Sequence, residues 1–146
     1  MPDLRERVLE LIDGHELAAL DTARLSDGAL DSLKKLSNGS NLALVTMQGR
    51  RVCSKILEKL GIDKIFVAVF TREDSLERAP QLQMALKALK ASPRDTTFIG
   101  DRINDLNAAR SVGLRFVMIR AQEDNPPADA LFRSMREFYD EWVKGS

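Results

Sequence analysis

Cysteine and histidine are nearly missing from this chain: Cys53 and His15 are the single copies. A lone thiol excludes an intramolecular disulfide framework and suits a reducing compartment. Surplus charge is missing too, with 22 Lys and Arg against 22 Asp and Glu. Nothing in that balance draws the chain toward nucleic acid or an anionic membrane surface. No apolar run is long enough to span a bilayer, and no signal-peptide pattern opens the sequence, so the expected location is cytoplasmic. No Gly-x-Gly-x-x-Gly follows an apolar run, which removes a dinucleotide-binding module. The acidic pair, phosphoacceptor and strand-end lysine of a phosphorelay receiver are not found together. There is no internal repeat, low-complexity tract or dividing linker. What remains is 146 residues, 44% hydrophobic and 30% charged, enough for one domain with a sizeable core.

Four short apolar runs stand out: "NLALVT" (Asn41–Thr46), "KIFVAVF" (Lys64–Phe70), "TTFIG" (Thr96–Gly100) and "RFVMIR" (Arg115–Arg120). Each is continuous rather than alternating, as in strands covered on both faces. Helical patterns separate them. Asp27–Leu36 carries Leu30, Leu33 and Leu36. Arg50–Gly61 carries Val52, Ile56 and Leu60, with Gly61 as the stop. Pro80–Ser92 carries Leu82, Leu86 and Leu89, and Asn104–Gly113 ends on another glycine. This alternation predicts an α/β fold: three layers, with a parallel sheet of about four strands between helices. Both ends read as helix. Leu4, Val8, Leu11 and Ile12 share one stripe near the N-terminus. Leu131, Met135, Phe138 and Trp142 share another near the C-terminus, which suits core docking or a homodimer contact. Cys53 reads as a small buried side chain.

In an open parallel sheet, ligands bind beyond the carboxyl ends of the strands. "FIGDRINDLNAARSVG" (Phe98–Gly113) places Asp101 where a strand stops and Asp105 one turn into the next helix. Two hard oxygen donors at that spacing can hold a hydrated magnesium ion. They can equally be a helix cap and a first-turn acid favoured by the helix dipole.

The order of motifs resembles the haloacid dehalogenase (HAD) superfamily of phosphatases. It runs from a strand ending in Thr, through a helix, a strand and a helix preceded by a basic residue and proline, to strand-GDxxxD-helix. The resemblance covers about Leu4–Arg120 and is closest to members with a small helical cap. The stretch "GDRINDLNAARSVGLRFVMIR" is its most specific part. It implies a Rossmann-like, HAD-like core over residues 26–146, with 1–25 as a cap remnant or linker helix of a single domain. It implies that the Thr46 hydroxyl meets a phosphoryl group, aided by backbone N–H groups of Met47 and Gln48. Asp101 and Asp105 would position Mg2+, Asp101 more directly. Arg78, in "LERAPQLQ", would stand where the family carries a lysine beside proline. A guanidinium differs there from a compact ammonium, and a surface loop position explains Arg78 as well. Arg50 and Arg51 are either further anion contacts or a solvated helix start.

The family's attacking group is the first aspartate of an Asp-x-Asp-Gly-Thr motif ending the first core strand, and it forms an aspartyl-phosphate. Here the nearest string is "LIDGHE" (Leu11–Glu16). It puts Leu11 at the nucleophile position and His15 at the threonine. The expectation is therefore a missing or degenerate first strand, with Leu4–Asp13 helical. The strands ending at Thr46 and Gly100 then pair directly in the order 3-2-4-5 of family numbering, the first expectation, or else the N-terminal segment is drawn in as a strand or two chains exchange one. Functionally, two readings follow. One is a phosphate- and magnesium-binding domain with little or no turnover. The other is an active phosphomonoester hydrolase, phosphoglycolate-phosphatase-like, completed by a partner chain or by an N-terminal segment. Either takes a small phosphorylated molecule.

Overall fold

The computed structural model describes residues 9–13, 29–100, 102–119, 128–133 and 135–143. The elements run β1 (Leu9–Asp13), α1 (Ala29–Gly39), β2 (Asn41–Val45), α2 (Arg50–Leu60), β3 (Phe66–Phe70), α3 (Arg78–Leu89), β4 (Thr96–Gly100), α4 (Ile103–Val112), β5 (Arg115–Ile119), β6 (Ala130–Phe132) and α5 (Met135–Phe138). A π-helical turn over Tyr139–Val143 follows α5. The strands form one sheet in the order β3-β2-β1-β4-β5-β6, and every pairing is parallel.

The four runs of continuous apolar residues are strands, and their side chains divide cleanly between the two faces. Leu42, Leu44, Ile99, Val117 and Ile119 pack with Leu33 and Leu36 of α1, Cys53 and Leu57 of α2, and Phe138 of α5. Ala43, Val45, Phe98, Phe116 and Met118 pack with Leu82, Leu86 and Leu89 of α3 and with Leu106 and Ala109 of α4. Hence successive positions of the inner strands need apolar residues, and the sequence shows no alternation; the edge strand β3 leaves Val67 exposed. Helices α2 and α4 end on Gly61 and Gly113, both left-handed, with φ of 71° and 83°.

Three expectations are corrected. First, Leu9–Asp13 is a strand, not the end of a helix, and it lies between β2 and β4. Its register sets Leu11 opposite Ala43 and Asp13 opposite Val45 on one side, with Leu11 opposite Phe98 on the other. The order 3-2-4-5 therefore does not occur. Five residues whose spacing favours a helix are recruited because both flanking strands would otherwise keep a buried, unpaired row of N–H and C=O groups. Each unpaired group costs about 1–3 kcal/mol, more than any helix preference of so short a segment. The remainder of 1–25, including His15, lies outside the described residues.

Second, the C-terminal stripe is not one helix. Ala130–Phe132 pairs with β5 as a sixth strand, and helix resumes only at Met135. Phe132 and Phe138 meet edge to face, ring centres 5.6 Å apart, so strand and helix close on one core face. Among the described residues the sheet thus has six strands where about four were expected. Third, α2 is turned by about one residue relative to the expected stripe: Cys53 and Leu57 are buried, whereas Val52 is 54% exposed. Burial pushes the Cys53 thiol upward, away from thiolate reactivity.

Candidate active site at the strand ends

Because all six strands run the same way, their carboxyl ends share one rim. Thr46 leaves β2, Thr71 leaves β3, Gly100 ends β4 and Asp13 ends β1. Thr46 is fully buried, and its N–H donates to the Phe70 carbonyl at 3.0 Å. The Gln48 N–H, expected to face a phosphate, donates to Thr46 Oγ1 at 3.0 Å. With its oxygen accepting there, the Thr46 hydroxyl keeps its hydrogen to donate elsewhere. Met47 is 37% exposed, and Gln48 Oε1 is buried with no hydrogen-bond partner among the described residues.

Arg78 opens α3, and its Nε donates to Asp105 Oδ1 at 3.2 Å, with the two side chains 14% and 3% exposed. The residue that was as readily a surface loop arginine is thus inside the rim, against the second aspartate of the GDxxxD motif. Asp101, the first, lies outside the described residues. Gly100 explains how Asp105 fits. A Cβ there would stand 2.8 Å from Asp105 Oδ2 and 3.0 Å from its Cβ. The carboxylate is tucked against the strand end in space that only glycine leaves open. Gly100→Ala is expected to lower stability by about 1–3 kcal/mol, checked by urea denaturation, because Asp105 must move away from Arg78.

A hard carboxylate set in a cradle without a Cβ suits a hard cation such as Mg2+. Asp105 would hold it together with Asp101, whose position directly follows β4. When bound, such an ion offsets the charge of a phosphoryl group. Among the described residues no three acidic, histidine or cysteine side chains cluster around a metal-sized space.

Sequence reasoning passed over Gln81. It is fully buried, and its Nε2 donates to the carbonyls of Thr46 (2.8 Å), Thr71 (3.1 Å) and Ser75 (3.2 Å). Its Oε1 accepts from Arg78 Nη1 at 2.7 Å. The available signal was its phase: Gln81 adjoins Leu82 and lies four residues before Ala85, on the stripe that packs against the sheet. A polar residue at such a position must have partners.

Arg50 and Arg51 line an open groove with Ser54, Lys55 and Glu73, but Arg50 is tied to the β3–α3 loop. Its N–H donates to Glu73 Oε2 at 2.9 Å and its guanidinium meets Asp74 at 3.3 Å. The Thr71 hydroxyl donates to the same Glu73 oxygen at 2.6 Å. These bonds, Thr71 first and the Arg50 amide second, lower the Glu73 pKa. The loop contact is therefore present above the ordinary glutamate range and lost as pH falls through the lowered value. An NMR titration is expected to show the Arg50 amide shifting in that acid window, and Glu73→Gln to abolish the step.

The chain belongs to the haloacid dehalogenase-like hydrolase family, whose sequence profile matches residues 3–119. It is similar to phosphoglycolate phosphatase 1 of Pseudomonas aeruginosa, 29% identical over 92 residues, which are 60% of this chain and 34% of that protein. N-acetylmuramic acid 6-phosphate phosphatase of Pseudomonas putida is 25% identical over 126 residues, 81% of this chain and 56% of that one. Among solved structures, the HAD-hydrolase YfnB of Bacillus subtilis, described as bound to magnesium, has a TM-score of 0.71 at 23% identity. It covers 78% of this chain and 54% of that chain, and this likeness concerns the fold. The chain thus spans between about a third and just over half of the length of these relatives. No helix among the described residues is long and apolar enough to cross a membrane.

Proposed function

We propose that this phosphatase-type domain binds a small phosphorylated molecule with Mg2+ at the strand-end rim and turns it over weakly or not at all. The single observation that carries this reading is the register of β1. Leu9–Asp13 occupies the central place in the sheet, with Asp13 opposite Val45, one residue before Thr46. The string ending that strand is Leu11-Ile12-Asp13, so an apolar residue stands where the family places its attacking carboxylate. Leucine offers no lone pair to phosphorus, and the covalent route is closed to it. Thr46, Arg78 and Asp105 remain, with Asp101 assigned by resemblance. They supply a hydroxyl, a cation and two carboxylates that can hold a metal-bound phosphate.

The second reading is an active phosphomonoester hydrolase completed by another chain. It is favoured by the phosphatase activities named for the relatives in Pseudomonas and by the presence of Asp13 on the central strand. Turnover of p-nitrophenyl phosphate with Mg2+ separates the two. The first predicts inorganic phosphate binding by calorimetry and a hydrolysis rate no higher than that of Asp101→Ala. Robust turnover abolished by Asp101→Ala establishes the second.

A further inference from the structure

We infer that Gln81 is a positioning residue that sets the Arg78 guanidinium and the Thr46 turn in one fixed geometry for an oxyanion; this rests on the phosphate-binding reading above. The two sides of the rim are built by different elements. Thr46 and Thr71 follow β2 and β3, whereas Asp105 belongs to α4, beyond β4. The central strand β1 lies between them. Gln81 bridges the two sides. Its amide nitrogen faces three carbonyl oxygens, all acceptors, which fixes which end of the carboxamide points there. Its oxygen must then face the other way, toward Arg78 Nη1 at 2.7 Å. The same guanidinium reaches Asp105 through Nε.

The result is one continuous run of bonds from the Thr46 carbonyl through Gln81 and Arg78 to Asp105. Anchoring the Thr71–Ser75 loop alone would use only the nitrogen. The second half of the amide is spent on the guanidinium, a group otherwise able to adopt many rotamers. Neighbouring α3 positions Leu82, Ala85, Leu86 and Leu89 are buried apolar residues, so this position has no need of polarity for packing. A cation whose fork is oriented before the ligand arrives binds an oxyanion without first ordering itself.

The test replaces Gln81 with Met, which keeps the length and removes donors and acceptor together. Two quantities are read on the full chain. One is the affinity for inorganic phosphate with Mg2+, by calorimetry. The other is the Arg78 Nε–H resonance in a proton–nitrogen spectrum, assigned by its disappearance in Arg78→Lys. The expected result is a resonance displaced toward solvent-exposed arginine values and phosphate affinity reduced about tenfold. If Gln81→Met does not fold, Gln81→Asn is used instead; its shorter amide cannot reach the carbonyls and Arg78 together, and the same two changes are expected. A folded variant that leaves either quantity at its wild-type value overturns the inference. Failure of the wild-type protein to bind millimolar phosphate sinks the ligand reading instead, and the resonance still judges the coupling of Gln81 to Arg78.

Discussion

Leu11→Asp is expected to raise magnesium-dependent hydrolysis of p-nitrophenyl phosphate by about a thousandfold or more over the wild-type chain. Losing a covalent nucleophile in a hydrolase removes several powers of ten from kcat, so on the proposed reading, in which Thr46, Arg78, Asp105 and Asp101 bind phosphate and Mg2+, supplying a carboxylate at position 11 should recover much of that. Position 11 is fixed on β1 by pairing with Ala43 and Phe98, two residues before Asp13, the spacing of the family's two aspartates. Leu11→Asn serves as the control, since an amide of the same size carries no nucleophilic charge. Trapping a phosphorylated aspartate by mass spectrometry confirms the route. A folded Leu11→Asp protein as inactive as Leu11→Asn refutes the claim that the rest of the rim is competent.

The second large effect concerns stability. Asp105→Ala is expected to destabilise the domain by about 3–5 kcal/mol, a fall in Tm of about 10 °C or more for a chain of this size. The pair is not a surface salt bridge. With Asp105 3% and Arg78 14% exposed, removing the carboxylate takes a charged partner from a guanidinium that water barely reaches. Loss of the anion is worse than loss of both groups. The double variant Arg78→Met with Asp105→Leu should therefore regain most of the stability while losing phosphate affinity. Thermal melts of the single and double variants decide this. A single variant within about 1 kcal/mol of wild type would place the pair among exposed ion pairs.

The four apolar runs, their helices and the two glycine stops were legible because each depends on local pattern. Continuous apolar strands mean two covered faces, and a glycine past a stripe means a left-handed cap. The rim residues Thr46 and Asp105 were legible from the strand–turn–helix spacing. Arg78 was legible as a candidate, but not its partner, since a distance between residues 78 and 105 is set by how α3 and α4 lie on the sheet. Gln81 was passed over for the same reason: its acceptors come from two separate stretches of chain, the turn after β2 and the Thr71–Ser75 loop. The helical phase running into Leu11 and Ile12 misled for Leu9–Asp13 because hydrophobic spacing reports which residues want burial. It does not report which backbone rows elsewhere need partners.

By itself, then, the sequence determined a layered parallel α/β domain with hydroxyl and carboxylate groups near its strand ends. Only the tertiary structure decided that Leu9–Asp13 fills the centre of the sheet, that Ala130–Phe132 adds a sixth strand, and that Arg78 is locked between Asp105 and Gln81. Those outcomes come from satisfying buried backbone and charged groups across long stretches of chain. That requirement is met between distant segments and leaves no periodic trace in any one of them.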